Sequence, residues 1–321
     1  MAHRVRFYET GTPAVLRYEE MEVGEPGDNQ VRLRQEAVGV NFVDTMFRDG
    51  TITVPTPFAI GVEAAGVVER IGAGVSDLRV GDRAAYWFSF GAYAGERLVE
   101  ASALVKLPED VSAEQAAAVL AKGLTAWVLV KKVHAIKAGE TVLVHAAAGG
   151  VGSLLASWAQ ALGAKVIATV GSPEKAATVR EHGIEHVLAA DDPDLVAKIR
   201  TMTDGRGVDV VYELVGASTF ARSVEALRDG GALVHLGNAS GAATVDRDAL
   251  AKRSIEYVQP STGQFIKDRE TLLKASADVF AALQDDVFGE IGITCYPLSE
   301  AARAHADIAA RRITGSIVLV P

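Results

Sequence analysis

The segment TVLVHAAAGGVGSLLASWAQALG, residues 141–163, constrains the fold of this chain more than any other. A β-branched run, a cluster of small residues and an apolar pattern of helical period follow one another, which predicts a strand, a tight loop and a helix. Residues 147–152 have the G-x-G-x-x-G spacing of a dinucleotide-binding loop, with Ala147 at the first glycine position. Glycines there let the main chain approach a phosphate, and the N-terminus of the helix attracts negative charge. The segment predicts a nucleotide site formed by Ala148, Gly149, Gly150, Val151 and Gly152.

The sequence around this loop favours nucleotide binding over a glycine cluster that only eases packing. Short β-branched runs begin at residues 141, 165, 186, 208 and 231 and alternate with helical patterns. Continuous apolar strands at this spacing are typical of a parallel sheet whose two faces are covered by crossover helices. We therefore expect a doubly wound sheet that begins at the strand before the loop.

The two ends of the chain have a different residue pattern. Before residue 120, and again in the last ten residues, short alternating runs are separated by Gly, Asp and Pro, which predicts mostly β structure. The predicted fold class is α/β, a Rossmann-type doubly wound parallel sheet inserted in a mostly β domain. We place the β domain at residues 1–123 plus 263–321 and the nucleotide-binding domain at residues 124–262.

The end of the second predicted strand favours NADPH over NADH. An NAD site commonly has an acid there for the ribose 2′-hydroxyl, whereas the sequence here is TVGSPEK. Gly171 leaves room, Ser172 supplies a hydroxyl and Lys175 a positive charge. The nearest acid, Glu174, is explained by its place in the first turn of a helix capped by Ser172. The alternative for Lys175 is an ordinary solvated lysine.

Composition excludes several classes of function. The formal charge of −9 gives no general attraction to nucleic acid or anionic lipid, so nucleic acid is not expected as a partner. The N-terminus has no apolar stretch after its basic residues, and no segment approaches the ~20 apolar residues of a membrane span. We expect a cytoplasmic protein without membrane contact. The single cysteine, Cys295, lies in an apolar stretch and is expected to be buried and inert.

Seven motifs together resemble the zinc-free quinone oxidoreductases, the zeta-crystallin-like branch of the medium-chain dehydrogenase/reductase superfamily. The resemblance covers nearly the whole chain and implies a GroES-like catalytic domain built from both ends, a Rossmann domain between them, and a homodimer. The motifs are GVNFVDTMFRDG at 39, GVEAAGVVERIGAGV at 61, VGDRAAY at 80, GAYAGERLV at 91, AAAVLAKGLTAW at 116, HAAAGGVG at 145 and GNASGA at 237.

The same resemblance indicates that no metal is bound. Zinc-dependent relatives have a cysteine where this chain has Asn41, a histidine at Val62 and a third ligand near Ala121, and their structural zinc needs four cysteines. Asparagine, valine and alanine cannot supply the thiolate and imidazole donors that zinc prefers. The acceptor must therefore be one that a hydride reduces without a metal, such as a quinone or an activated double bond.

Further site residues follow from the resemblance alone. It places the nicotinamide in a cleft between the domains, with Asn41 positioned to hydrogen-bond the acceptor and Thr125 positioned to orient the ring or the acceptor. It adds Gly237 and Asn238 to the nucleotide site. For Asn41 the alternative is a turn-fixing residue, and for Thr125 a capping or packing role. Some bacterial relatives have tyrosines at Met46, after Gly50 and at Ala190, so a particular quinone preference does not transfer.

The main functional prediction is an NADPH-dependent oxidoreductase that reduces quinones. Within the same enzyme class, the alternative is reduction of α,β-unsaturated ketones or aldehydes, because both acceptors are flat conjugated carbonyl compounds. An alternative of another class is a nucleotide-binding structural protein, or an RNA-binding protein similar to some crystallins. No proton donor can be named, since Asp44 and Glu63 both have structural explanations.

Overall fold

The computed structural model describes residues Met1–Pro321, with sixteen strands and nine α-helices. In chain order the strands are β1 (Ala2–Phe7), β2 (Arg17–Met21), β3 (Gln30–Val40), β4 (Phe58–Ala59), β5 (Glu63–Ile71), β6 (Arg83–Trp87), β7 (Glu96–Glu100), β8 (Leu104–Lys106), β9 (Thr141–Val144), β10 (Lys165–Val170), β11 (His186–Ala189), β12 (Val208–Glu213), β13 (Leu227–His235), β14 (Glu256–Val258), β15 (Ile293–Pro297) and β16 (Ser316–Val320). The helices are α1 (Phe42–Asp49), α2 (Ala113–Val128), α3 (Gly150–Ala161), α4 (Pro173–Glu181), α5 (Leu195–Met202), α6 (Phe220–Ala226), α7 (Arg247–Lys252), α8 (Arg269–Gln284) and α9 (Ala301–Ala309).

The chain divides into two compact units. The first unit comprises Met1–Ala121, Leu272–Phe280 and Ile291–Pro321, and so draws on both ends of the chain. The second unit comprises Lys122–Thr271 and Ala281–Glu290. The domain boundaries drawn from the sequence stay a prediction.

The second unit is built on a parallel sheet of six strands in the order β11-β10-β9-β12-β13-β14. From β9 the chain adds β10 and β11 on one side of the sheet and then β12, β13 and β14 on the other. The sheet is therefore doubly wound, and the predicted fold class is confirmed. The central strands β9, β10 and β12 are almost wholly buried, as their continuous β-branched runs predict, whereas the edge strands β11 and β14 are partly exposed. Two details differ from the sequence prediction: β13 begins at Leu227 rather than at residue 231, and β14 was not predicted.

Helix ends in the second unit follow the predicted signals. Ser172 is the N-cap of α4, where its side chain accepts a hydrogen bond from the backbone N–H of Lys175, and Pro173 opens the helix. Gly163 has a φ of 88° just after α3, the left-handed conformation that glycine adopts without steric cost. These ends fix where the strand-to-helix loops begin.

The first unit is mostly β. Its larger sheet has seven strands, in the order β15-β16-β3-β5-β6-β8 with β7 also paired to β3, and a smaller sheet has the order β2-β1-β4. The long strand β3 is central: β5 pairs along one of its edges, and β7 and β16 pair with different parts of the other edge. This pairing brings the end of β3 beside the start of β5.

Cys295 is exposed, so the expectation that it is buried is wrong. It lies in β15, where successive side chains alternate between the two faces, and the next residue, Tyr296, takes the buried position. Of the apolar residues that suggested burial, Tyr296 and Leu298 face inward, whereas Ile293 and Pro297 share the outer face with Cys295. Elsewhere in the fold, no helix combines the length and the apolar character needed to cross a bilayer.

Candidate cofactor and acceptor site

The glycine loop is shaped by close backbone contacts. After β9 the chain turns at Ala146, which has a φ of 51°, a strained conformation for a residue other than glycine. The backbone N–H of Gly149 donates to the carbonyl oxygen of Ala146 at 2.9 Å. A Cβ atom on Gly152 would lie 2.2 Å from that same oxygen, so only glycine fits. Since α3 begins at Gly150, the N–H groups of its first turn have no carbonyl partner within the helix and can meet an anion.

The loop after β10 leaves open space. A Cβ atom on Gly171 would meet nothing within 4 Å. Ser172 and Lys175 are both partly buried at the start of α4. A hydrogen bond from the Ser172 hydroxyl lowers the pKa of the exposed Glu174 carboxyl. This acid is therefore engaged with the helix cap, as its position in the sequence suggested.

The loop after β13 lies directly on the loop after β12. A Cβ atom on Gly237 would be 1.9 Å from the carbonyl oxygen of Leu214, and the N–H of Gly237 donates to the oxygen of Glu213 at 3.1 Å. Asn238, the next residue, is partly buried. The predicted nucleotide residues at 148–152, 171–175 and 237–238 thus all follow the carboxyl ends of strands in one parallel sheet, the edge where such sheets bind ligands.

A buried polar network lies at the ends of β9, β10 and β12. The Nδ1 of His145 is 2.8 Å from the Thr169 hydroxyl, and its Nε2 is 2.9 Å from the Ser223 hydroxyl. Ser223 also donates to Glu213. The other oxygen of Glu213 accepts from the hydroxyl of Thr219 at 2.8 Å and from two backbone N–H groups of the loop, those of residues 215 and 216, at 2.8 and 2.9 Å.

This network has a defined charge state. Burial is the largest effect on His145 and lowers its pKa, so the imidazole is neutral at pH 7. The pKa of Glu213 is also lowered: burial, the largest single effect, raises it, but the hydrogen bonds that the carboxylate accepts from Ser223 and from the backbone of residues 215 and 216 outweigh that effect. His145 is therefore a satisfied histidine at the end of β9, with both ring nitrogens within hydrogen-bond distance of hydroxyl groups. Glu213 was missed, because nothing in the run VDVVYEL distinguishes a buried carboxylate from an exposed one at a strand end.

Asn41 joins two strands of the first unit. It follows β3 and caps α1, and its backbone N–H donates to the Asp44 carboxylate at 2.8 Å. Its side-chain Nδ2 donates to Oε1 of the buried Glu63 at 2.8 Å. The second oxygen of Glu63 accepts from the backbone N–H of Ala121 at 2.7 Å. Since an ionised carboxylate only accepts, the amide nitrogen of Asn41 faces Glu63 and its orientation is fixed.

Asp44 and Glu63 therefore have structural roles. The carboxylate of Asp44 also accepts from the Tyr93 hydroxyl at 3.1 Å, and that hydroxyl is 2.9 Å from Nε2 of His305. Burial raises the pKa of Tyr93 well above its usual value, and burial lowers the pKa of His305 to about 3, with Arg48 adding to the effect. Tyr93 and His305 were missed by sequence reasoning, since 49 and 212 residues separate Tyr93 from its two partners.

Thr125 lies on α2 in the second unit and is partly buried, whereas its helical neighbours on both sides are buried. Its hydroxyl oxygen is 3.2 Å from that of Thr262. Tyr86, in the first unit, is fully buried and donates to Gln35, so it is a core residue. Asn41 and Thr125 belong to different units, and their roles stay predictions.

The residues at the zinc positions do not fit zinc. Asn41 offers an amide already donating to Glu63, and Val62 and Ala121 have no donor atom in their side chains. No three His, Cys, Asp or Glu side chains anywhere in the chain are grouped so that they could hold a metal ion.

Comparison with known families gives two matches. Residues 27–109 match the family described as alcohol dehydrogenase GroES-like domain, and residues 150–278 match the family described as zinc-binding dehydrogenase. The second description names a metal, but the ligands for it are absent from this chain, as the preceding paragraph shows.

Similar proteins match along their whole length. A quinone oxidoreductase from Pseudomonas aeruginosa is 41% identical, with 100% of each chain covered. A 2-haloacrylate reductase from a Burkholderia species is 39% identical, covering 98% of this chain and 97% of the relative. The crystal structure of Escherichia coli quinone oxidoreductase complexed with NADPH superposes with a TM-score of 0.96 at 38% identity, covering 99% of this chain and 100% of the other.

Proposed function

This chain belongs to the quinone oxidoreductase family of the medium-chain dehydrogenase/reductase superfamily, and from that premise we propose that it is an NADPH-dependent reductase of quinones. The observation that carries the proposal is the full-length similarity to a quinone oxidoreductase whose structure holds NADPH. The geometry of the glycine loop supports the same cofactor, because its glycines have no side chains to keep a pyrophosphate away from the backbone.

The nucleotide is held mainly by the second unit. The N–H groups at the start of α3 and the positive end of its dipole bind the pyrophosphate. The open space at Gly171 admits the 2′-phosphate; the ammonium group of Lys175 binds it, and the hydroxyl of Ser172 turns from Glu174 to donate to it. The residues present therefore fit NADPH, whose bound nicotinamide supplies a hydride.

Asn41 binds and polarises the acceptor. One hydrogen of its amide nitrogen goes to Glu63, and the second donates to the carbonyl oxygen of the acceptor, which gains negative charge as the hydride arrives. Because Glu63 is itself held by the N–H of Ala121, the donor is preorganised before the acceptor binds. Thr125 orients the nicotinamide ring or the acceptor through its hydroxyl. No step passes through a metal.

A second candidate is reduction of an activated carbon–carbon double bond. It is favoured by the 39% identity to a 2-haloacrylate reductase. A panel of acceptors decides between the two: NADPH oxidation is followed at matched concentrations of benzoquinones, naphthoquinones, α,β-unsaturated ketones and 2-haloacrylates under anaerobic conditions. We expect the highest kcat/KM with quinones, and a higher value with an alkene acceptor would favour the second candidate.

The same assay tests the remaining alternatives. Binding of NADPH without oxidation by any acceptor would contradict the enzymatic proposal and favour a structural or RNA-binding protein. Exhaustive chelation should leave the rate unchanged, and a stoichiometric zinc ion on which activity depends would contradict a metal-free reaction. Homodimer formation and a cytoplasmic location are also proposed, on the family resemblance; sedimentation equilibrium and cell fractionation test them.

A further inference from the structure

Glu213 organises the loop that follows β12. One oxygen of its carboxylate accepts from two backbone N–H groups of this loop, at residues 215 and 216, and from the hydroxyl of Thr219 at the loop's end. Glu213 is fully buried, whereas residues 217 and 218 at the tip of the loop are exposed. The loop is therefore folded around a charge that lies beneath it, and that buried charge depends on these hydrogen bonds.

The loop after β13 is hydrogen-bonded to the loop after β12. The backbone N–H of Ser240 donates to the carbonyl oxygen of Val215 at 2.8 Å, and that of Ala217 donates to the oxygen of Gly241 at 3.0 Å. The Ser240 hydroxyl also donates to the oxygen of Val215, at 3.0 Å. Because of these bonds the two segments are here called the paired loops, residues 214–219 and 236–241.

The paired loops also pack closely against each other. Gly216 has a φ of 101°, and a Cβ atom on it would lie 2.5 Å from the carbonyl oxygen of Gly241 and 3.1 Å from the Cα of Asn238. Only glycine fits there, so the backbone of one loop lies directly on the backbone of the other. The position of Asn238 therefore depends on the loop that Glu213 organises.

The second oxygen of Glu213 fixes the orientation of the carboxylate. It accepts from the hydroxyl of Ser223, which has a single hydrogen to give. The Nε2 of His145, 2.9 Å from the same hydroxyl, is therefore the donor in that contact. Its Nδ1 is then an acceptor and takes the hydrogen of the Thr169 hydroxyl, 2.8 Å away. All four side chains are fully buried, and their donors run in one direction towards Glu213.

The paired loops belong to one half of the nucleotide site. A doubly wound sheet of this type has two mononucleotide-binding halves that meet at the switch point. Here β10 and β11 lie on one side of β9, and β12, β13 and β14 lie on the other. The space for the 2′-phosphate at Gly171 follows β10, so the adenosine half belongs to that side. The paired loops follow β12 and β13 and so serve the nicotinamide half.

We propose that Glu213 is a positioning residue for the nicotinamide half of NADPH, because its carboxylate holds the paired loops in the shape that receives this half. Loops that are already ordered lose little conformational entropy when the nucleotide binds, which strengthens binding. The adenosine half lies on other loops and does not depend on this carboxylate. The inference rests on the proposed NADPH-dependent function.

The test compares two ligands of wild type and Glu213→Gln by calorimetric titration. NADPH has both halves, whereas adenosine 2′,5′-bisphosphate has only the adenosine half. The Kd for NADPH should rise about tenfold in the variant, the equivalent of about 1.4 kcal/mol, and the Kd for the bisphosphate should change by no more than about twofold. In turnover, the KM for NADPH should rise while the KM for the quinone stays within about twofold. Equal losses for the two ligands, or no loss for either, would overturn the proposal.

Asp209→Asn is the matched control. Asp209 is also a buried carboxylate of β12, but it lies at the opposite end of the strand, where it accepts from the backbone N–H of Thr141 and from Arg206 and Arg228. This variant should leave the Kd of both ligands within about twofold of wild type. A selective loss of NADPH affinity here too would assign the effect to the strand as a whole and overturn the proposal.

A second variant guards against misfolding. Thermal unfolding checks that each protein folds, and Ser223→Ala replaces Glu213→Gln if the latter does not. Ser223→Ala leaves the bonds from the loop to Glu213 but removes the bond to its second oxygen. The Kd for NADPH should then rise about threefold, with the Kd for the bisphosphate unchanged. An unchanged Kd for NADPH in a folded Ser223→Ala protein would contradict the role of the carboxylate's orientation.

Hydrogen exchange locates the change in the molecule. In wild type the amides of residues 215 and 216 are protected by their bonds to Glu213. In Glu213→Gln, exchange should accelerate in the paired loops and keep the wild-type rate in the glycine loop, residues 146–152. Faster exchange confined to the glycine loop would show that the carboxylate supports that loop instead, and the proposal would be wrong.

Failure of this inference is distinct from failure of the proposed function. A wild-type protein that binds NADPH but reduces no quinone contradicts the function, whereas the comparison of the two ligands still decides the inference because it measures binding alone. A wild-type protein that binds NADPH no more tightly than the bisphosphate contradicts the inference, since the paired loops would then contribute nothing to the nicotinamide half.

Discussion

The nucleotide end of the second unit and the acceptor face of the first unit achieve their shapes by different means. Around the glycine loop the backbone determines the shape: a Cβ atom on Gly152 or on Gly237 would lie only 2.2 or 1.9 Å from a backbone carbonyl oxygen. On the acceptor face the side chains determine it, through the amide of Asn41, which Glu63 holds in one orientation.

The difference teaches where each region tolerates change. In a site shaped by the backbone, a methyl group added at a closely packed glycine collides with the main chain and distorts the site. A side-chain-shaped surface can be altered one residue at a time while the fold stays intact. Four predictions test this contrast, from the largest expected effect to the smallest.

The contrast is sharpest at Gly237. Gly237→Ala should lower the free energy of unfolding by about 3 kcal/mol, because the new Cβ atom meets a backbone carbonyl that cannot move aside. Gly171→Ala is the matched control and should change stability by less than about 0.5 kcal/mol, because its Cβ atom meets nothing. Urea denaturation measures both, and equal effects would contradict the backbone-shaped interpretation.

Glu213→Gln asks whether the backbone-shaped region depends on one buried side chain. The carboxylate of Glu213 accepts every hydrogen bond that reaches it, whereas the amide of glutamine would turn an N–H group toward one of these donors. The free energy of unfolding should therefore fall by about 2 to 3 kcal/mol. The folded-state pKa of Glu213 is lowered, so its contribution is present above the unfolded pKa and is lost as the pH falls through the folded one. Wild type should therefore lose more stability on acidification than the variant, and identical acid unfolding profiles would exclude this role.

Lys175→Ala removes the main cationic side chain proposed to bind the nucleotide. NADPH binding should weaken by about 1.5 to 3 kcal/mol, the range for a charge-assisted hydrogen bond, and NADH binding should hardly change. Lys252→Ala, an exposed lysine at the end of α7, is the control and should affect neither. Fluorescence titration with both nucleotides measures the difference, and equal losses would remove the 2′-phosphate role.

His305 tests the network beneath the acceptor face. Burial lowers its pKa to about 3, so the histidine stays neutral in the fold while the unfolded chain takes up a proton below about pH 6.5. Stability is therefore full above pH 6.5 and declines on acidification, by about 2 kcal/mol at pH 5. His305→Gln should abolish that part of the decline. Denaturation series at pH 7.5 and 5 check it, and a variant with the wild-type slope would assign the decline to other groups.

The backbone-shaped region was the more predictable of the two. The glycine loop, the caps at Ser172 and Pro173, and the parallel sheet all leave local signals, because each depends on residues close together in the sequence. The fold class and the NADPH preference followed from those signals, and the family followed from seven motifs spread along the whole chain. What the sequence could not indicate was the support beneath the loop, where Glu213 binds side chains six and ten residues away.

The acceptor face was predicted only in part. Asn41 was named from family resemblance, but its contact with Glu63 depends on the pairing of β3 with β5. Tyr93 meets His305 across more than 200 residues of chain, so no local pattern signals their contact. The error at Cys295 has the same origin, because the hydropathy of a short segment does not tell which face of an edge strand a residue occupies. Tertiary contacts, rather than local preferences, decide these positions.

The paired loops offer a practical route to altered cofactors. They are held by Glu213 from below and by main-chain bonds, and none of these involves the side chains of the exposed residues 217, 218 and 239. Those three positions can therefore be randomised in a library while the loops keep their shape. Selection with synthetic analogues of the nicotinamide ring would then sample binding surfaces instead of misfolded proteins.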